Sequence, residues 1–388
     1  MTLDPIARQA DDTFFDIETR IDWLAALSPT GNHERWEKFV QSGFRRAPPL
    51  TYPPHEADFD ALREQLLKPD LDHVEHPLIE LLLREKRSEL QRQIDLVALR
   101  EQDGFVHASI ALFGSPDPVL MGHAKSILDT VPLEDEIANP VGAADIAKAA
   151  LAARTAYRKA DPSFDFGMLI EADINSALMV NHGDLWIDSD TLVAEARVAA
   201  LIAHEVGTHV VTRHNGRRQP LRQLETGLPD YDELQEGLAT LAEWLVGSLP
   251  PQRLRVLAAR VIAADMAING ETLEQIFGCL HDEHSIPPHT AFDTAVRAKR
   301  GGGLTKDAVY LSGLVDLLAW LSQGNDIESL FAGKFALSQF KTITELTEEG
   351  VLLPPAVLPL HLTGEGCAGR LETARTTPIT ELYSRETP

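Results

Sequence analysis

Apolar residues recur at three- and four-residue spacing over 12–27, 56–67, 76–99 and 118–129, the pattern of amphipathic helices. Residues up to about 160 therefore read mostly as helix, interrupted by Pro-rich connectors such as Ala47-Pro-Pro-Leu-Thr-Tyr-Pro-Pro54. The pattern then changes. Short apolar runs at 166–170 and 176–180 are followed by Asn181-His182-Gly183-Asp184, strong turn chemistry, and by Leu185-Trp186-Ile187, which predicts a hairpin with His182 at its tip. A long apolar stripe follows, from Leu192 through Ala196, Ala199, Ala203 and Val206 to Val210. It predicts a helix capped by Ser189 or Asp190 and stopped near Asn215-Gly216. Asp232 is a fair N-cap for a further helix over 233–246, ended by Gly247 and Pro250. Helices at 252–269 and 306–322 come next, the second with Thr305 as its cap, and the stretch after about 345 either wraps the surface or adds short strands. Three regions emerge: a helical part at 1–160, a central part at 161–345, and an extension at 346–388 packed on the central part.

Composition narrows the class. The 388 residues are 44% hydrophobic and 24% charged, ordinary for a globular protein. The net charge of −24 argues against a nucleic-acid backbone as partner. Two cysteines, Cys279 and Cys367, make no disulfide framework. With neither an apolar leader segment near Met1 nor a membrane-length apolar run, a cytoplasmic protein without membrane contact is expected.

The chemistry concentrates in His204-Glu205-Val206-Gly207-Thr208-His209 and in Glu236. Histidines four apart share a helical face, as in the H-E-x-x-H zinc motif. Here they are five apart, which on an ideal α-helix separates them by roughly 140°. A π-turn at 205–209 returns both rings to one side, and Gly207 weakens the helix enough to admit it. His204, His209 and Glu236 are then three ligands for Zn²⁺, and Glu205, directly after the first ligand, is the general base. Glu236 sits in the first turn of its helix, where complementing the helix dipole is the competing reading.

Other candidates are weighed beside these. His281-Asp282-Glu283-His284, with His289, reads as an exposed loop, and His214 rotates off the metal face to a supporting or surface position. Basic islands at 197–222 and 297–306 stand out in so acidic a chain. Arg297, Arg300 and Lys306 are the cations expected to capture a substrate carboxylate, against the simpler reading of solvated loops. The run Gly301-Gly302-Gly303 either lets backbone approach substrate or is a bare turn. Tyr310 is a candidate donor to an oxyanion, with a core tyrosine as the alternative.

His204-Glu205-Val206-Gly207-Thr208-His209, Asn215-Gly216, Gln219-Pro220-Leu221, Tyr231-Asp232-Glu233-Leu234-Gln235-Glu236-Gly237-Leu238-Ala239 and Gly302-Gly303-Leu304-Thr305-Lys306-Asp307 together resemble the bacterial QEGLA-motif family, sometimes labelled flavohaemoglobin expression-modulating. That family is similar to the microtubule-associated tyrosine carboxypeptidases, zinc enzymes that remove the C-terminal tyrosine of tubulin. The resemblance covers most of the chain. It implies His204, His209 and Glu236 as zinc ligands and Glu205 as base, the assignment reached from the residues.

The expectation is thus an α+β, mostly α chain: a gluzincin-like zinc metallopeptidase with a small antiparallel sheet beside the active-site helix. It would cleave at a peptide or protein C-terminus. The alternative is a regulatory or binding protein that retains the zinc site with little hydrolysis.

Overall fold

In the computed structural model, which describes residues 3–20, 22–54, 57–133, 139–172, 174 and 176–384, helix dominates from the first turn. α1 (Pro5–Arg20) buries Ala7, Ala10, Phe14 and Ile17 at helical spacing and lies against α2 (Pro77–Ala98), which opens with proline and a His76 side-chain cap. The helix expected over 12–27 is two. Asp22 accepts from the Ala25 N–H and starts a new helix, Trp23–Leu27, because a side-chain cap competes with continuing the first. The helix expected from 56 begins at Phe59 behind the cap Asp58, and Glu56 lies outside the described residues. α3 (Pro118–Thr130) and α4 (Ala143–Ala160) complete the N-terminal half.

Five short strands precede the next helix, the first separated from the other four by α4. β1 (Pro140–Gly142) pairs antiparallel with β5 (Leu192–Ala194). β2 (Met168–Glu171), β3 (Leu178–Asn181) and β4 (Asp184–Asp188) form a sheet in the order β2-β4-β3. The β3–β4 hairpin turns through His182 and Gly183, both at positive φ (49° and 92°), as a tight two-residue turn requires. β2 runs parallel to β4, so the sheet is mixed rather than antiparallel. Two successive reversals restore the strand direction, and β4, with Leu185 and Ile187 buried, is inserted between its neighbours.

Neither Ser189 nor Asp190 caps the next helix. Leu192 and Val193 join β5, a short 3₁₀ turn (Glu195–Arg197) follows, and α5 starts at Val198. Asn215-Gly216 lies in the last turn of α5, which ends at Arg217, so the stop falls where expected although Gly216 is no left-handed cap. The buried Asn215 side chain instead donates to the carbonyls of Phe331 and Val357 and accepts the N–H groups of Ala356 and Val357, tying the C-terminal stretch to α5. That stretch adds short helices, Leu360–Thr363 and Cys367–Ala374 among them, where strands were the alternative.

α6 (Tyr231–Leu245) starts behind Asp230, which adopts a left-handed conformation without a side-chain cap; Asp232, the expected cap, lies in the first turn and holds Lys306 at 2.6 Å. α7 (Pro251–Ile268), α8 (Pro288–Lys299) and α9 (Val309–Ser322) surround α6 or its neighbours. Thr305 does not cap α9; its hydroxyl and N–H bond to Ser109. With helix at 64% and small sheets, the architecture is α+β and mostly α. Among the described residues no helix is long and apolar enough to cross a membrane.

α6 and α9 meet backbone to backbone. A Cβ on Gly237 would lie 2.4 Å from the Gly313 oxygen, and one on Gly313 would lie 1.8 Å from the Glu233 oxygen. Only glycine at both positions permits this approach, which seats Glu236 close to the first turn of α9. Gly313→Ala is expected to cost about 1–3 kcal/mol or more, the range for forcing atoms into a packed interior. Gly369→Ala, in a helix where a Cβ would meet nothing within 4 Å, should instead be neutral or stabilising by up to about 1 kcal/mol. Urea unfolding midpoints compare the two; equal effects would refute the close-packing argument.

Candidate metal centre and its surroundings

α5 is regular only at its ends. Between Val198–His204 and Val211–Arg217 it carries a π-helical stretch, Glu205–Val210. The Thr208 hydroxyl donates to the carbonyl of Ala203, five residues back, and steadies the widened turn. At Gly207 a Cβ would come within 2.9 Å of His361 Nδ1 and 3.5 Å of the Tyr157 hydroxyl. Glycine is thus set by a neighbour pressed against the turn as well as by the turn itself.

The wide turn brings the histidines together. Their ring centroids are 5.3 Å apart at 73°. Glu236 Oε2 lies 3.6 Å from His204 Nε2 and 3.8 Å from His209 Nε2. Ligand atoms of these three residues all fall within 4.8 Å of one another, and no other cluster of this kind occurs among the described residues. Donors round a tetrahedral zinc ion sit roughly 3.4 Å apart, so small movements close the set on a cation. Glu236 Oε2 is also buried with no hydrogen-bond partner. An orphaned buried acceptor costs about 1–3 kcal/mol, and more when charged, so the site suits a cation.

The charges around it are strongly biased. Burial alone would lower His204, but the carboxylates of Glu236, Glu243 and Glu205 outweigh it and raise the ring to about 10. Burial lowers His209 to about 4, and Glu236 only partly opposes this. The two rings touch the same carboxylate yet move in opposite directions, because only His204 has a second carboxylate, Glu243 Oε1 at 2.9 Å from its Nδ1. Burial would raise Glu236, but the two histidines hold it down at about 2. Burial pushes Glu205 up to about 7, against the pull of His204; its Oε1 lies 4.0 Å from His204 Nε2.

Glu243 was missed from the sequence. It stands two turns after Glu236 on the same face of α6, a spacing that was readable. Arg197 at 2.7 Å and Arg253 at 3.3 Å also bind it, and these cations with His204 hold its carboxyl below the usual range although burial would raise it. A carboxylate on the far nitrogen of a ligand histidine fixes ring and tautomer. Gln235 contributes too: its Oε1 accepts from Thr212 at 2.7 Å and joins α6 to α5.

The remaining candidates separate. His214 bonds Asp161 at 3.0 Å, His281 bonds the Ile286 carbonyl and His289 bonds Asp293, so none joins the cluster. His281-Asp282-Glu283-His284, expected as an exposed loop, falls largely within a π-turn, Cys279–Glu283. Gly301 receives the ring of Phe105 where a Cβ would be, and its N–H donates to the Tyr52 hydroxyl, so the glycine run is packed against aromatic rings. Arg297 forms a two-point pair with Asp307, and Lys306 is held by Asp232. Arg300 is 3% exposed with an unpartnered Nε. Tyr310 lies under the guanidinium of Arg260 at 4.5 Å, and burial and the charge of Glu236 raise its pKa.

No curated protein matches the chain significantly. A family model does, over residues 37–377, a span that takes in α5, α6 and all the groups just described. Its description is microtubule-associated tyrosine carboxypeptidase, and the chain belongs to that family.

Proposed function

We propose that this chain is a zinc-dependent carboxypeptidase of gluzincin-like type, cleaving the last peptide bond of a peptide or protein. The observation that carries the reading is the cluster of His204, His209 and Glu236 with Glu205 against it, in a chain of a carboxypeptidase family. His204, His209 and Glu236 would hold the ion, with Glu243 orienting His204. When bound, Zn²⁺ supplies Lewis acidity toward the scissile carbonyl and makes water more acidic.

The protein groups do the rest. Glu205, raised to about 7 by burial, is matched to accept a proton from water near neutral pH and to return it to the departing amine. Tyr310, whose phenol keeps its proton because burial and Glu236 raise its pKa, would donate to the developing oxyanion. Arg300 would supply positive charge toward the substrate, and Arg297 and Lys306, each neutralised by an aspartate, would shape that side of the site; Glu236 acts on both Arg297 and Lys306.

Glu205→Gln should keep about one metal per chain and lower cleavage by at least about 10²-fold, the usual worth of a general base. Metal analysis and mass spectrometry of a C-terminally diverse peptide library check it. Wild-type protein that holds zinc but trims no peptide would favour the regulatory reading, and retained cleavage in the variant would remove Glu205 from its role. Glu243→Gln should weaken zinc binding about 10–100-fold in a chelator competition, the typical cost of losing a carboxylate behind a ligand histidine. Unchanged affinity would show that His204 needs no such support.

A further inference from the structure

Beside the metal-ligand cluster lies a group of arginines whose donors are not all satisfied. Arg260 from α7, Arg297 from α8 and Arg300 just after it act on one another and on Tyr310, and Asp307 is the acid all three share. Both oxygens of Asp307 are taken by Arg297. Arg260 is left with Nε and Nη1 buried and unpartnered, its flat face over the Tyr310 ring. Arg300, 3% exposed, has Nε buried and unpartnered. Asp307, committed to Arg297, is the acid that all three arginines feel, and Glu236 also acts on Arg297, so the donors left over are those of Arg260 and Arg300.

Arginine cannot relieve an unpaired donor by losing its proton in the accessible range. Burial and the charge of Arg297 lower Arg300 only to about 10, so it stays charged at neutral pH. Unpaired buried N–H groups and mutual repulsion both disappear if an anion enters. Guanidinium forks match planar two-oxygen anions best, and stacking on Tyr310 leaves the edge of Arg260 free to donate.

The position fits a substrate end. Arg253 and Arg260 are seven residues apart, hence on one face of α7 and roughly 10 Å apart along it. Arg253 reaches Glu243, which holds His204, while Arg260 stacks on Tyr310, whose phenol feels Glu236. These arginines therefore adjoin the metal-ligand cluster on the α7 side.

We propose that Arg260 and Arg300 form the receptor for the free α-carboxylate of the substrate, with the Arg297–Asp307 pair as its rigid wall. This rests on the hydrolytic reading above and supplies the reason the site acts on a chain end. An acidic side chain on the last residue would offer the same chemistry, so the two sources must be separated.

The experiment uses the full chain loaded with zinc and carrying Glu205→Gln, which binds without turnover. Calorimetry compares one peptide with a neutral last residue as free acid, the same peptide as its amide, and an amide ending in glutamate. The free acid should bind at least about tenfold more tightly than either amide. Adding Arg260→Met or Arg300→Met should abolish that preference, and Arg260→Lys, which keeps charge but loses the fork, should reduce it. Thermal unfolding and zinc content should hold in all of them, since each Met substitution removes a repelling charge. Equal binding of acid and amide, or a preference that survives both Met substitutions, overturns the proposal. Tight binding of the glutamate amide would assign the pocket to a side chain and overturn it equally. Wild type that shows the preference for the free acid but cleaves nothing would sink the hydrolytic reading and leave the receptor standing.

Discussion

One buried carboxylate oxygen organises this molecule. Glu236 Oε2 sits between two imidazoles without a hydrogen-bond partner, and two separate distortions are needed to put it there. α5 must widen into a π-turn so that residues five apart share a face. α6 must press against α9 so closely that Gly237 and Gly313 exclude any Cβ. Gly207 belongs to the same constraint, since His361 occupies the space its side chain would need. A turn of poor hydrogen-bond geometry and an unpaired acceptor are both unfavourable for folding alone, which is why their coincidence at one point argues for a ligand rather than for stability.

The support around that oxygen is equally directional. Glu243 touches His204 on its far nitrogen and is clamped by Arg197 and Arg253, so the ring is held in one orientation from outside the cluster. His209 has no comparable carboxylate, and this asymmetry is what drives the two rings to opposite protonation in the absence of a cation.

Much of this was legible in the residues, for local reasons. The five-residue histidine spacing admits few solutions on a helix, and the π-turn is one of them. Long amphipathic helices such as α2 and α7 appeared within a few residues of their expected ends, because a repeated apolar face is hard to misread. Local capping signals were weaker. Asp232 looked like an N-cap but was drawn to Lys306, and Thr305 was drawn to Ser109, both partners remote in sequence. Leu192 and Val193 fit a helical stripe as well as a strand, and only pairing with β1 decided for the strand. Arg260 was overlooked because it interrupts an apolar helix, where a long side chain usually snorkels to water. Its partner Tyr310 comes from another helix, and nothing along the chain signals that they stack.

The overall charge of −24 and the cationic pocket are compatible because they act over different distances. Surface carboxylates are screened beyond about 8 Å at physiological ionic strength, whereas buried pairs are screened much less. An anionic chain end approaching from solution would meet a weakly repulsive surface and then guanidinium donors without partners. In the proposed reading, recognition would be confined to groups that can reach those donors, and general acidity of a partner would contribute little. Arg297 and Lys306 illustrate the division. Each is neutralised by an aspartate and acts through rigidity, while the unpaired donors of Arg260 and Arg300 retain the capacity to bind. A cation that already has its carboxylate shapes a site, and one that lacks it defines what the site will accept.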